Sequence, residues 1–407
     1  MTPTRTSDDA IEFDPHSESF FADPHPIYRR LRDEEPVYHN PTVGFWALSR
    51  YHDVVPAMKD FQTYSSARGI TLEMVLDPAP PSEGIPMIIM MDPPEHTRMR
   101  KLVSKVFTPR AIAELESTVR TIVHSFLDRV DPHEFDMFTD FSTLFPIEVI
   151  TTMLGVPPEH RQQLRHWHAA PMQRADDGGV PKEQARQAIQ AATRFYHQLI
   201  LERRADPRED MISRLTQVEV ERADGLTTML TDREILGFAS LLAGAGAETV
   251  AKVIAGAAVI FAEHQDQWRA LGADRSKIPG AFEELLRYDG PVQYDVRYTL
   301  RDVDIHDRTI PRDSAVLMLL ASANRDGRAF DDADRFDINR RFGGHNLGLG
   351  YGIHSCLGAA LARLEGRVAL DALLDFMPEF DVDRAGLTRT RETSVAGWAT
   401  VPVRVLS

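Results

Sequence analysis

Cys356 is the single cysteine of this sequence, and the residues around it are types that act on a thiolate. It sits in Leu349-Gly350-Tyr351-Gly352-Ile353-His354-Ser355-Cys356-Leu357-Gly358, ahead of an Ala/Leu/Arg-rich stretch that reads as a helix to about Phe376. A helix start beside the sulfur offers free N–H groups and the positive end of the dipole, which lowers a thiol's pKa. Gly350, Gly352 and Gly358 place no Cβ in the way of a close backbone or a flat ligand. His354 sets a hydrogen-bond donor or a charge two residues from the sulfur. A lone cysteine is more often a small buried apolar residue, and a cysteine–histidine nucleophile is paired in space rather than in sequence. Neither accounts for three glycines and a histidine around one sulfur. A loop that holds a negatively charged sulfur as an axial ligand does.

Three further constellations stand out. In Leu242-Ala243-Gly244-Ala245-Gly246-Ala247-Glu248-Thr249 a run of small residues leaves an indented helix face, with a carboxylate and a hydroxyl beside it. Close helix packing with a chance Glu–Thr pair reads this stretch equally well. A dinucleotide loop does not, because no third glycine follows and the segment lies within a helix. Glu284 and Arg287 fall on one helix face in Glu283-Glu284-Leu285-Leu286-Arg287, a pairing worth little on a solvated helix. His96 and Arg100 fall one turn apart after Pro93-Pro94, a proline pair suited to a helix start. His166-x-His168 points its rings to different sides of a helix and makes a poor metal site. No Gly-x-Ser-x-Gly elbow or Gly-x4-Gly-Lys phosphate loop is present.

The elements that position these groups are mostly helical. Residues 15–35 have helical periodicity, 37–39 and 45–48 read as a β-hairpin, and 51–60 as a helix. Residues 65–91 are irregular and end in the apolar Ile85-Pro86-Met87-Ile88-Ile89-Met90-Met91, which predicts a pocket-lining loop. From 93 to about 268 the pattern is nearly all helix, and Thr231-Asp232-Arg233-Glu234 forms a capping box for its longest member. Strand-like segments return at 291–320 and in the 377–407 tail. Strands at both ends predict termini that meet in one layer. The expected architecture is a mostly α, α+β single unit over 15–407, preceded by a polar tail at 1–14. The 407 residues carry a net charge of −15, which argues against nucleic acid or an anionic membrane as the main partner. One cysteine excludes intrachain disulfides, zinc ribbons and cysteine-held iron–sulfur clusters. The apolar run 238–262 is long enough to span a bilayer, but Glu248 and Lys252 near its middle make it a buried core helix. With no apolar signal core or membrane anchor at the start, the expected location is cytoplasmic.

The cysteine loop resembles the haem-thiolate loop of the cytochromes P450, Phe-Gly-x-Gly-x-His-x-Cys-x-Gly, at every fixed position but the first, where Leu349 stands for phenylalanine. The other constellations occur in that family's order. Ala245-Gly246-Ala247-Glu248-Thr249 resembles its oxygen-binding groove, which implies that Thr249 orients water and Glu248 connects it to solvent as the proton source. Glu284 and Arg287 resemble its Glu-x-x-Arg element, with Arg335 as the implied third, structural member. The resemblance implies a P450 fold and haem b with Cys356 as its axial thiolate. It implies a cofactor site of Ala245, Leu349, Gly350 and Gly358, one propionate held by His96 and Arg100, and the other by Arg297 and His354. Ile89, Met90, Ala245, Val292 and Val395 are the expected substrate wall. The implied activity is a monomeric monooxygenase that takes dioxygen and a hydrophobic small molecule. Electrons would come from NAD(P)H through a separate ferredoxin and ferredoxin reductase. A peroxide-driven peroxygenase, or a haem carrier or sensor, is the rival reading.

Overall fold

The computed structural model describes residues 11–77, 85–104, 107, 109–171, 182–221, 225–392 and 394–406. Its organising element is the 32-residue helix Asp232–Glu263. The capping box forms as its sequence requires: Glu234 N–H donates to Thr231 Oγ1 at 3.2 Å, and Thr231 N–H donates to the Glu234 carboxylate at 2.8 Å. The helices Phe145–Leu154, Pro158–Ala169, Lys182–Ala205 and Ala359–Phe376 pack around it. Its most apolar window is long enough to cross a membrane, yet 67% of that window is buried by protein, so this is a core helix. Fully buried side chains such as Ile254 and Phe261 each contribute about 1.5–3 kcal/mol of transfer free energy.

The mostly α, α+β architecture is what the chain adopts, with small sheets at the edge of the helical mass. The predicted hairpin forms from Val37–Asn40 and Phe45–Leu48. Its second strand runs parallel to Ala315–Met318, which pairs antiparallel with Asp295–Thr299, and Tyr64–Ser65 closes the far edge. The expected meeting of the two termini in one layer does not occur. The C-terminal strand Pro402–Val405 pairs instead with Phe380–Val382 and with Phe135–Asp136. The stretch 15–35 is two helices, Glu18–Ala22 and His25–Glu34, because Asp23-Pro24 interrupts the backbone ladder. The fold also reaches further back than residue 15. Ile11 and Phe13 are buried, and the Phe13 ring packs edge-on to Phe45 and Tyr38.

The cysteine loop is held by a buried ionic network. Arg287 grips Glu284 with both ends of its fork, Nε to Oε2 at 2.7 Å and Nη2 to Oε1 at 2.8 Å, and both side chains are 0% exposed. Arg287 also donates to the carbonyls of Asn324, Ala333 and Arg335. The second guanidinium on Glu284 is that of Arg340, not Arg335, with Nε at 3.0 and 3.1 Å from the two carboxylate oxygens. Arg335 gives only its carbonyl, and its side chain is exposed. The meander turns back on itself between the two arginines, so the nearer one in sequence faces solvent. Asn324 then carries the network to the loop, its Oδ1 accepting from Leu347 N–H at 2.8 Å. Arg340→Ala is expected to lower stability by about 3 kcal/mol, since it takes one of two cations from a buried carboxylate. Arg335→Ala should stay within about 0.5 kcal/mol of the parent. Urea unfolding of the two variants checks this, and equal losses would reject the assignment.

Candidate active site

A cavity of about 240 Å³ lies between the middle of the central helix and the cysteine loop. Leu241, Ala245, Gly246 and Thr249 face it from the helix, and Leu349, Gly350, Cys356 and Gly358 from the loop. The loop closes on itself, with Cys356 N–H donating to the Leu349 carbonyl at 2.8 Å. Gly350 and Gly352 take φ of +69° and +71°, which side-chain-bearing residues rarely adopt. At Gly352 a Cβ would also stand 2.5 Å from the Met58 carbonyl oxygen.

The sulfur's environment differs from expectation. Cys356 is exposed to the slot, yet desolvation by the surrounding protein pushes its thiol above the ordinary value. The Gly358 N–H and the charges of Arg100 and Arg363 act the other way without overcoming it. The following helix starts only at Ala359, so a single loop N–H reaches the sulfur rather than a full helix end. A metal ion on the sulfur reverses that balance, because a coordinated thiol is deprotonated outright.

His96, Arg100 and His354 meet at one edge of the cavity. The two imidazoles lie 4.4 Å apart, and each Nε2 is buried without a hydrogen-bond partner among the described residues. Burial lowers the pKa of His96, with Arg100 adding to the effect. Burial and the nearby Arg297, His96 and Arg100 hold His354 down at about 3. Arg100 makes no ion pair among the described residues, whereas Arg297 already donates to Asp295 at 3.1 Å and acts on His354 through its charge. Buried polar nitrogens without partners are costly, and with the unpaired Arg100 they point to a ligand that carries acidic groups.

On the central helix Thr249 Oγ1 donates to the Ala245 carbonyl at 3.0 Å, at the cavity surface. Glu248 does not line the cavity. It turns to Lys252, whose Nζ stands 3.3 Å from its Oε1, and its side chain keeps 21% of its exposure. Of the expected substrate wall, Ile89, Ala245 and Val292 face the cavity, while Met90 and Val395 do not; Ile88 does. Val395 instead forms a bridge to Val292 from behind. Glu365 also lines the cavity, with both carboxylate oxygens buried and unpartnered among the described residues, and burial raises its pKa well above the ordinary carboxylate range. A signal for it exists in the sequence, since Glu365 falls four residues after Leu361 on the apolar face of its helix.

The family model for cytochrome P450 matches residues 178–393. Cytochrome P450 130 of Mycobacterium tuberculosis is 38% identical over 410 residues, covering 97% of this chain and 98% of that protein. The chain belongs to the cytochrome P450 family. Vitamin D(3) 25-hydroxylase of Pseudonocardia autotrophica is 36% identical over 398 residues, 96% of each chain. The solved structure of the P450 CYP109Q5 from Chondromyces apiculatus matches with a TM-score of 0.86 at 35% identity, over 97% of this chain and 98% of that one. This P450 is thus a haem-iron monooxygenase of the oxidoreductase class. Its cavity fits the cofactor: one thiol faces a slot whose edge carries the donors that two buried propionates require. Leu349→Phe is expected to keep haem binding and shift the reduction potential, because the residue packs beside the sulfur. Spectroelectrochemical titration checks this, and identical potentials would reduce position 349 to packing.

Proposed function

We propose that this P450 hydroxylates a hydrophobic small molecule with one atom of dioxygen. Electrons pass from NAD(P)H through a ferredoxin reductase and a ferredoxin, and a monomer of residues 15–407, extended back to the buried Ile11, works as one unit in the cytoplasm. The observation that carries the reading is Thr249, whose hydroxyl stands on the cavity wall one residue from a carboxylate. When bound, haem supplies the iron at which dioxygen is activated, and a thiolate ligand favours O–O cleavage.

The residues of this chain do the rest. Cys356 would bind the haem iron through its sulfur. His96 and Arg100 would hold one propionate, His354 and Arg297 the other, while Ala245, Leu349, Gly350 and Gly358 would bound the slot. Thr249 positions a water, and Glu248 is the source of protons moved through it. Ile89, Val292 and Leu241 exclude water from an apolar substrate and offer it no charged anchor. The likeness to a vitamin D(3) hydroxylase supports a bulky apolar molecule, such as a lipid, terpenoid or steroid.

Oxygen consumption and product analysis with added ferredoxin, reductase and NAD(P)H test this against a panel of apolar compounds chosen by difference spectra. Hydroxylated product that depends on all three components is expected. Turnover with peroxide alone and none with the partners would establish a peroxygenase. Cys356→Ala should abolish the thiolate–CO spectrum, and a retained spectrum would remove the sulfur from its role.

A further inference from the structure

Lys252 stands within Val250-Ala251-Lys252-Val253-Ile254, and its side chain is 1% exposed. A buried cation has to find acceptors, and its three donor positions meet three of them. Nζ lies 3.3 Å from Glu248 Oε1, in close contact with the Glu392 carboxylate, and 3.2 Å from the Val395 carbonyl oxygen. The turn that carries Glu392 and Val395 lies directly on the lysine stem. At Gly397 a Cβ would stand 2.6 Å from Lys252 Cγ, so only glycine fits there.

Two carboxylates therefore share one ammonium in a place poor in water. Unless one acid keeps a proton, the cluster buries an uncompensated negative charge. Glu392 is the deeper of the two, 9% exposed against 21% for Glu248. Burial pushes it up to about 8, with Lys252 opposing and Glu248 reinforcing the shift. The other charges near the turn are engaged elsewhere. Arg391 pairs with Glu18 at 2.9 Å, and Arg389 lies 3.7 Å from Asp289 and stacks on Trp398. His168, on the helix Pro158–Ala169, is close enough to feel Glu248, but burial holds it at about 4 and leaves it neutral near pH 7.

We propose that Glu392 is the proton store for Glu248, and that Lys252 is the positioning residue that keeps the two carboxylates together. This rests on the role proposed above for Glu248. The proton leaves the carboxylic O–H of Glu392 and arrives on the Glu248 carboxylate. Glu392, now charged, stays against Lys252 and recovers a proton from surface water. The acid beside Thr249 is thus refilled from the C-terminal turn, whose Val395 backs the cavity-lining Val292.

Infrared titration of the purified protein reads this proton without turnover. The wild type minus Glu392→Gln difference should contain a protonated-carboxyl band that disappears as pH rises through about 8. Glu365 contributes equally to both proteins and cancels, and Glu392→Asp should restore the band. A group raised from an ordinary value of 4.5 to about 8 gives stability that is full below the first value and lost as pH rises through the second. The thermal midpoint of the wild type should therefore fall more over that range than that of Glu392→Gln. In turnover with ferredoxin and reductase, Glu392→Gln should slow product formation about tenfold, less than the ~100-fold typical of a group that transfers the proton directly. It should also remove the alkaline limb of the pH profile.

A difference spectrum without the band, or an unchanged pH limb, overturns the proposal. If Glu392→Gln does not fold, Lys252→Gln decides: loss of the opposing cation should move the band's disappearance to higher pH, and an unmoved titration overturns the store. A wild type that consumes no oxygen with its partners defeats the monooxygenase reading, while the infrared titration still decides where the proton sits.

Discussion

The structure depends on one buried carboxylate, Glu284, held between two guanidinium groups. Removing three charged side chains from water costs more than their attraction returns unless every donor and acceptor is placed. Here Arg287 and Arg340 spend their remaining N–H groups on meander carbonyls, from Asp331 to Arg335 and at Asn324. The network therefore acts less as a stabilising contact than as a jig that sets one long irregular segment. Through Asn324 and Leu347 that setting reaches the loop in which Cys356 must present its sulfur to the slot. A helix cannot do this alone, because the cysteine lies outside any regular element.

The cavity it serves is electrostatically incomplete. Its thiol, its two histidines and Glu365 are all pushed by desolvation toward their neutral forms, while Arg100 keeps a charge with no ion-pair partner among the described residues. A flat cofactor with a metal at its centre and acids at its rim supplies the missing signs in both places. The protein's electrostatics thus describe the cofactor in negative: cationic where it is acidic, and polarisable where it is metallic.

Much of this was legible in the sequence, and the failures have a common cause. The cysteine loop, the capping box and the hairpin are local, and their residue types dictate their geometry through φ, hydrogen bonds and alternation. The sequence favours Arg335 over Arg340 because the choice depends on how the meander folds back, which no periodicity encodes. The pairing of the C-terminal strand with Phe135–Asp136 is equally remote. Lys252 was visible as a charge in an apolar run, but its partner Glu392 lies in a distant turn, and only the packed structure reveals that the two carboxylates share it. Desolvation also opposes one local inference, since before any metal binds it raises the Cys356 thiol against the pull of the Gly358 N–H.

The 392–397 turn has a consequence for how such an enzyme can diversify. Val395 bridges the cavity wall through its backbone and, through the same peptide segment, offers a carbonyl to Lys252. A replacement that reshapes this wall to admit a new molecule also disturbs the lysine on which the acid leans. If Glu248 has the role proposed for it, changes in what the enzyme accepts and in how efficiently it uses oxygen are pleiotropic here. Drift toward new substrates is less constrained at Ile89 and Leu241, where the wall stands free of the lysine.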